Sequence, residues 1–222
     1  MINTKLIAGV ALALGLSSNA NAAITVFTDQ ASFLAAISAP ATDTFQDLSI
    51  VGLTPTPLTR AVGAYGYSAA ASGGFYGAGT PADHWLSTNT ATDAITLGNF
   101  TGGVFGLGGT FFGSNMGGSF VSGSVILTAT DADGSVSKSI LNATTSSFLG
   151  FVSTSGLTGV TLAAVQPSGS TYLWPTADNL TLGGQVLSAV PEPATWAMMI
   201  IGFGAVGSMV RTSRRRNAFS AV

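Results

Sequence analysis

The chain has 222 residues, only 7% of them charged, no cysteine and a formal net charge of −2. Without cysteine there is no disulfide, no thiol nucleophile and no thiolate metal site, so a folded body must be held by burial or by bound ions. Residues 23–189 keep only Arg60 and Lys138 against eight aspartates, a balance of −6 that excludes attraction to nucleic-acid phosphates or anionic lipid.

The first element is N-terminal. Lys5 precedes the 11-residue apolar run Leu6–Leu16, and Ala20 and Ala22 stand three and one before a cut after Ala22. Positive charge, short apolar core and small-residue site together predict a cleaved signal peptide over residues 1–22.

Residues 23–189 are predicted to be the folded body. Ile24–Phe27 reads as a strand. Asp29–Ile37 reads as a short helix with Phe33 and Ile37 on one face, Thr28 as its cap and Pro40 as its stop. Residues 50–90 are rich in Gly, Pro, Ala and Thr and read as loops with short strands; Pro55 and Pro57 confine Leu53–Leu58 to an edge or linker. Ala94–Phe100 alternates. Val104–Phe112 is an apolar run broken by glycines, fit for a strand buried on both faces or kinked by a bulge. Val121–Thr130 and Ser135–Leu141 flank Asp131-Ala132-Asp133-Gly134 and predict a hairpin. Phe148–Val152, Gly159–Val165 and Leu180–Leu187 complete the series. Short strands at even spacing predict a mainly β fold, a jelly-roll-like β-sandwich with one short N-terminal helix.

The last element begins at Pro191-Glu192-Pro193. Each proline favours an extended backbone before it, which leaves the stretch stiff and accessible; Glu192 is the only glutamate. Ala194–Val210 then runs 17 residues without charge. As a helix it would reach roughly 25 Å, against a hydrocarbon core of about 30 Å. Trp196 suits the interface, and Arg211, Arg214, Arg215 and Arg216 form a stop-transfer cluster. A transmembrane helix over 194–210 is expected, with the body outside and residues 217–222 as a cytoplasmic tail.

Pro191-Glu192-Pro193-x-x-Trp196-Ala197, an apolar span and an arginine cluster, in that order over 190–216, closely resemble the PEP-CTERM sorting signal in its PEPxxWA variant. Short body segments are similar to other proteins of that family: Ile24–Phe27 with Ala31–Ala35, Phe105–Phe112, Phe148–Phe151 and Asp178–Leu180. The family is one of Gram-negative bacteria that make exopolysaccharide. The resemblance implies recognition by an exosortase, a membrane-embedded cysteine transpeptidase-like enzyme. The enzyme would cut near the Pro-Glu-Pro after a transient stay in the inner membrane. The destination implied is the cell surface or extracellular matrix.

Catalytic chemistry has little to build on. His84 is the only histidine and no G-x-S-x-G is present, so His84 reads as a loop residue without a catalytic role, and a two-histidine zinc site is impossible. No spacing singles out a glycosidase pair among the aspartates. Asp131 and Asp133 before Gly134 resemble part of a calcium loop that lacks its third acid and distal glutamate; the competing reading is a tight turn, and Asp178 offers a further oxygen ligand. Calcium is therefore the only cofactor for which ligands can be named. Tyr65, Tyr67, Tyr76, Trp85, Tyr172 and Trp174 form either a sugar-stacking platform, with Trp85 and Trp174 its candidates for glycan binding, or core. The Asn-x-Thr triplets at Asn99, Asn142 and Asn179 carry no weight as glycosylation sites in a bacterial setting.

These readings converge on an exported, non-enzymatic surface or matrix protein whose partners are an exosortase and exopolysaccharide. The alternatives are a carbohydrate-binding module with a specific glycan site and a secreted polysaccharide hydrolase.

Overall fold

The computed structural model describes residues 24–169, 171–186, 198–209 and 211. The chain divides into two compact units, Met1–Val186 and Leu187–Val222. The signal peptide and its cleavage residues Ala20 and Ala22 lie outside the described residues.

The first unit holds β1 (Ile24–Phe27), α1 (Gln30–Ala35), β2 (Ile37–Asp43), β3 (Leu53–Thr54), β4 (Leu58–Val62), β5 (Tyr65–Ala70), β6 (Phe75–Thr80), β7 (Asp83–Thr88), β8 (Ile95–Thr101), β9 (Gly106–Ser114), β10 (Phe120–Val121), β11 (Gly123–Asp131), β12 (Ser135–Ala143), β13 (Phe148–Ser153), β14 (Leu157–Ala164) and β15 (Trp174–Gln185). They form two antiparallel sheets. One runs β1-β13-β9-β15-β7-β6-β3, with β10 beside β9 and β2 beside β15; the other runs β12-β11-β14-β8-β5-β4. From β7 onward the chain changes sheet at nearly every connection, the β11–β12 hairpin being the main exception. Both proline-flanked strands, β3 and β4, are edges, where a missing N–H costs no ladder bond.

Alternation builds the core. Leu107, Phe111, Leu149, Phe151 and Leu182 of the larger sheet share one buried cluster with Tyr67, Leu97, Leu127, Val160 and Leu162 of the smaller. Each such side chain contributes roughly 1.5–3 kcal/mol by leaving water, and the burial replaces the absent disulfides. Among the described residues no buried side-chain nitrogen or oxygen lacks a hydrogen-bond partner.

The opposite face of the larger sheet carries glycine where the inner face carries leucine and phenylalanine. A Cβ on Gly150 would sit 2.6 Å from Phe33 Cδ2, and one on Gly106 only 2.3 Å from Ile37 Cγ2. The glycines of β9 and β13 thus make a flat floor on which α1 lays Phe33, flanked by Phe27 at 6.2 Å and Phe148 at 5.5 Å between ring centroids, while Gly183 of β15 makes room for Ile37. The helix is shorter than its sequence pattern. Asp29, not Thr28, caps it by accepting from the Ser32 N–H at 2.8 Å, and Ile37 and Pro40 already belong to β2. Residues 65–88 are more regular than the loops with short strands expected there: they form three six-residue strands, of which β5 and β6 are rich in Gly and Ala.

The three Asn-x-Thr triplets share one structural role. Asn99, Asn142 and Asn179 all have positive φ, between 49° and 51°. Each stands at a register shift, of β8 against β5, β12 against β11 and β15 against β9 respectively. Asparagine tolerates the left-handed region better than other residues with a Cβ, so these are β-bulges that bend long strands around the core.

In the second unit residues 198–209 are helical, and Met198, Ile200, Phe203, Val206 and Met209 are each at least 61% exposed within the chain. Among the described residues no helix is long and apolar enough to cross a membrane. Residues 194–197 and 210 of the expected span, Trp196 and Ala197 among them, lie outside the described residues.

Candidate functional site

One end of the larger sheet gathers the polar and aromatic side chains that the core does not absorb. Antiparallel pairing brings the last residues of β7 and β9 beside the first of β15 and β6: Ser114 faces Trp174, Ser87 faces Thr176, and Thr88 faces Phe75. Beneath the surface Ser87, Ser114 and Thr176 bond to one another, the Thr176 hydroxyl lying 2.8 Å from Ser114 Oγ and 3.1 Å from Ser87 Oγ. This buried hydroxyl cluster holds the strand ends at fixed spacing.

Two hollows open above it. One, of about 300 Å³, is lined by Tyr76, Ser87, Thr88, Asn89, Asn115, Met116 and Trp174, with backbone from Gly77, Ala78 and Gly118. The other, of about 360 Å³, is lined by Asn89, Thr90, Ala91, Thr92, Tyr172 and Trp174. Trp174 and Asn89 belong to both. The Trp174 Nε1–H donates to the Asn89 carbonyl at 3.4 Å, and its ring meets that of Tyr172 edge-on at 6.4 Å and 74°. Tyr172, Tyr76 and Met116 are exposed. Among the described residues no charged side chain lines either hollow.

The sequence-predicted residues separate. Trp174, Tyr172 and Tyr76 come together here. Trp85 does not: it is 7% exposed, packs edge-on against Phe112 at 4.9 Å and donates Nε1–H to Asp83. Tyr65 and Tyr67 are buried as well. Of the two tryptophans named as stacking candidates, Trp174 is half-buried at these hollows, whereas Trp85 lies on β7 and belongs to the core, the other reading the sequence left open. His84 is likewise on β7 rather than a loop, with Nδ1 2.7 Å from the Leu48 carbonyl. Asn89, Asn115 and Met116 were not anticipated; an exposed methionine between Asn115 and Gly117-Gly118 was the available signal.

The aspartates are engaged locally. Asp131 Oδ1 accepts from the backbone of Asp133 and Gly134, and Oδ2 accepts from Ser153 at 2.7 Å. The Ser153 hydroxyl and then the Asp133 N–H hold its carboxyl below the usual range. Asp178 accepts from the backbone and side chain of Asn179; burial, with Asp83 adding repulsion, pushes its carboxyl up to about 6. Asp131, Asp133 and Asp178 are not gathered into one group, and no set of three or more acid or histidine side chains able to hold a metal occurs among the described residues.

Sequence spacing gave no hint of a further cluster. Arg60 reaches from β4 across to the end of β2, donating to both Asp43 oxygens at 2.6 and 2.8 Å and to both Asp47 oxygens at 2.6 and 2.7 Å. Its plane lies over Phe45, and Tyr67 donates to Asp43 at 2.8 Å. Hydrogen bonds to Asp43, then to Asp47, raise the Arg60 guanidinium further; burial and Asp43 push the Tyr67 phenol up. This ion pair fastens the two sheets.

The C-terminal residues are decided by comparison. A family model for the PEP-CTERM protein-sorting motif matches residues 189–216. The chain carries a PEP-CTERM sorting signal. Pro191, Glu192, Pro193, Trp196, Ala197, Arg211, Arg214, Arg215 and Arg216 all fall inside the match; of these only Arg211 lies among the described residues, where it is exposed. No curated protein and no solved structure matches the chain. A PEP-CTERM motif implies processing by an exosortase, and with it export and a membrane-anchored stage.

Proposed function

We propose that this PEP-CTERM protein is a non-enzymatic component of the cell surface or extracellular matrix, delivered by exosortase cleavage and held among secreted polysaccharide by its β-sandwich. The sorting motif at 189–216 carries the reading. A jelly-roll-like alternation between sheets, three bulged strands that bend around the core and a body of −6 charge suit a stable, soluble module displayed outside the cell. The absence of an enzymatic role is supported by the engagement of its ionisable groups: His84 with a backbone carbonyl, Asp43 and Asp47 with Arg60, and Asp131 with its own turn. No metal is required for this role, so the melting temperature is expected to be the same in calcium and in chelator. A shift of several degrees would place an ion at Asp131, Asp133 or Asp178.

Delivery is tested in a host with the cognate exosortase. Wild type is expected to be released from the inner membrane, while Pro191→Ala with Pro193→Ala is retained there at full length. Equal release of both would contradict the sorting role.

A further inference from the structure

We infer that the paired hollows about Trp174 are one two-part binding cleft for an uncharged polysaccharide chain. The inference rests on the proposed association with polysaccharide and names the surface and ligand chemistry that would produce it. The two hollows meet at Trp174 and share Asn89, so a chain can pass from one to the other across the indole. Together they offer room for a few sugar rings rather than for a small metabolite. Their lining is of the type that sugars select. Tyr172, 59% exposed, and Tyr76, 41% exposed, present aromatic surface on either side of Trp174. Aromatic faces pack against the C–H faces of pyranose rings. Carboxamides supply the polar partners. Asn115 Oδ1 is taken up by the backbone N–H groups of Gly117 and Ser119, which fixes the side chain and leaves its Nδ2 to donate. Asn89 lines both hollows, its backbone N–H donating to the Gly74 carbonyl and its own carbonyl accepting from the Trp174 indole N–H.

Charge narrows the ligand. Among the described residues no lysine, arginine or histidine lines the cleft, and the body has only two cations by sequence, of which Arg60 is committed to Asp43 and Asp47. A uronate or sulfated chain would therefore enter without a counter-charge and against the net negative field of the body. Neutral hexose polymers remain. The hydroxyl cluster of Ser87, Ser114 and Thr176 under the floor keeps the aromatic spacing fixed before any ligand arrives, which lowers the ordering cost of binding.

The test is calorimetric titration of the full chain in detergent with neutral gluco-, manno- and galacto-hexasaccharides and with a hexagalacturonate. At least one neutral hexasaccharide is expected to bind saturably and the uronate not at all. Tyr172→Ala, at an exposed position whose loss leaves the melting temperature unchanged, should weaken binding several-fold. Trp174→Ala should weaken it by about tenfold or more. Because Trp174 opens β15, Trp174→Phe is the partner variant and should recover part of the loss. Failure of all neutral hexasaccharides to bind, equal binding of the uronate, or undiminished binding in the Tyr172→Ala, Trp174→Ala double variant would overturn the cleft. The matrix reading is judged separately, by whether wild type co-fractionates with the producing cell's polysaccharide. Retention of the double variant there would leave that reading standing and the cleft refuted.

Discussion

Arg60 shows how much a single cation decides in a body with two. Its pairs with Asp43 and Asp47 look alike in distance but differ in worth. Asp43 is 6% exposed and Asp47 67%. Arg60→Ala strands Asp43 in the interior, held only by Tyr67 and the Phe45 N–H, and is expected to cost about 3 kcal/mol or more in urea unfolding. Asp47→Ala removes a screened surface partner and is expected to cost under about 1 kcal/mol. Equal costs would mean that Arg60 is not the bolt between sheets. Asp178 supplies a pH dependence with a definite sign. Its folded carboxyl titrates near 6 against 3.8 ordinarily, so the folded state binds the proton more tightly than the unfolded chain. Its contribution is full below about pH 3.8 and is lost as pH rises through about 6. Asp178→Asn should flatten the fall in melting temperature across that interval, and Asp83→Asn should shift it to lower pH. The carboxyls of Asp29, Asp47 and Asp131 are held below their usual range and act oppositely, losing their contribution only as pH falls below about 3.8. The Arg60 pairings were not legible beforehand, because Arg60 stands 13 and 17 positions from its partners and meets them only once two sheets have closed.

At the scale of elements, legibility followed side-chain bulk. β8, β9, β11, β12 and β13 alternate or run apolar with β-branched and aromatic residues, and their positions were readable to within a few residues. β5 and β6 read Tyr-Gly-Tyr-Ser-Ala-Ala and Phe-Tyr-Gly-Ala-Gly-Thr, compositions that favour turns when counted one residue at a time. They are strands because the neighbouring chain passes too close for larger side chains: a Cβ on Gly77 would lie 2.1 Å from the Ile50 carbonyl carbon. The same tightness seats α1. Gly150→Ala should destabilise by roughly 1–3 kcal/mol through collision with Phe33. In a Phe33→Ala background that added cost should vanish, since all three nearest atoms to the new methyl belong to Phe33. Persistence of the full cost would show that backbone, not the phenyl ring, resists the methyl. The choice between surface and core for Trp85 was open for the same reason. Asp83-His84-Trp85 follows Pro81 in a glycine-rich stretch, and only the pairing of β7 with β6 and β15 reveals a strand whose last four residues are all buried.

For the whole molecule, the body and the C-terminal motif answer different questions. The sandwich explains how a chain without cysteine survives outside the cell; two packed sheets, an arginine bolt and a glycine-floored helix replace covalent staples. The motif explains how it gets there, and it was the most legible feature because a sorting signal is read by an enzyme as linear sequence. Its proline stiffness, apolar run and arginine cluster need no tertiary context to be recognised. The measurement that bears most directly on this account is intact-mass analysis of the protein recovered from a producing cell. The mass is expected to lack residues 1–22 and everything beyond the neighbourhood of Pro191-Glu192-Pro193. A recovered chain that still ends in Arg214-Arg215-Arg216 and the tail behind it would contradict the account.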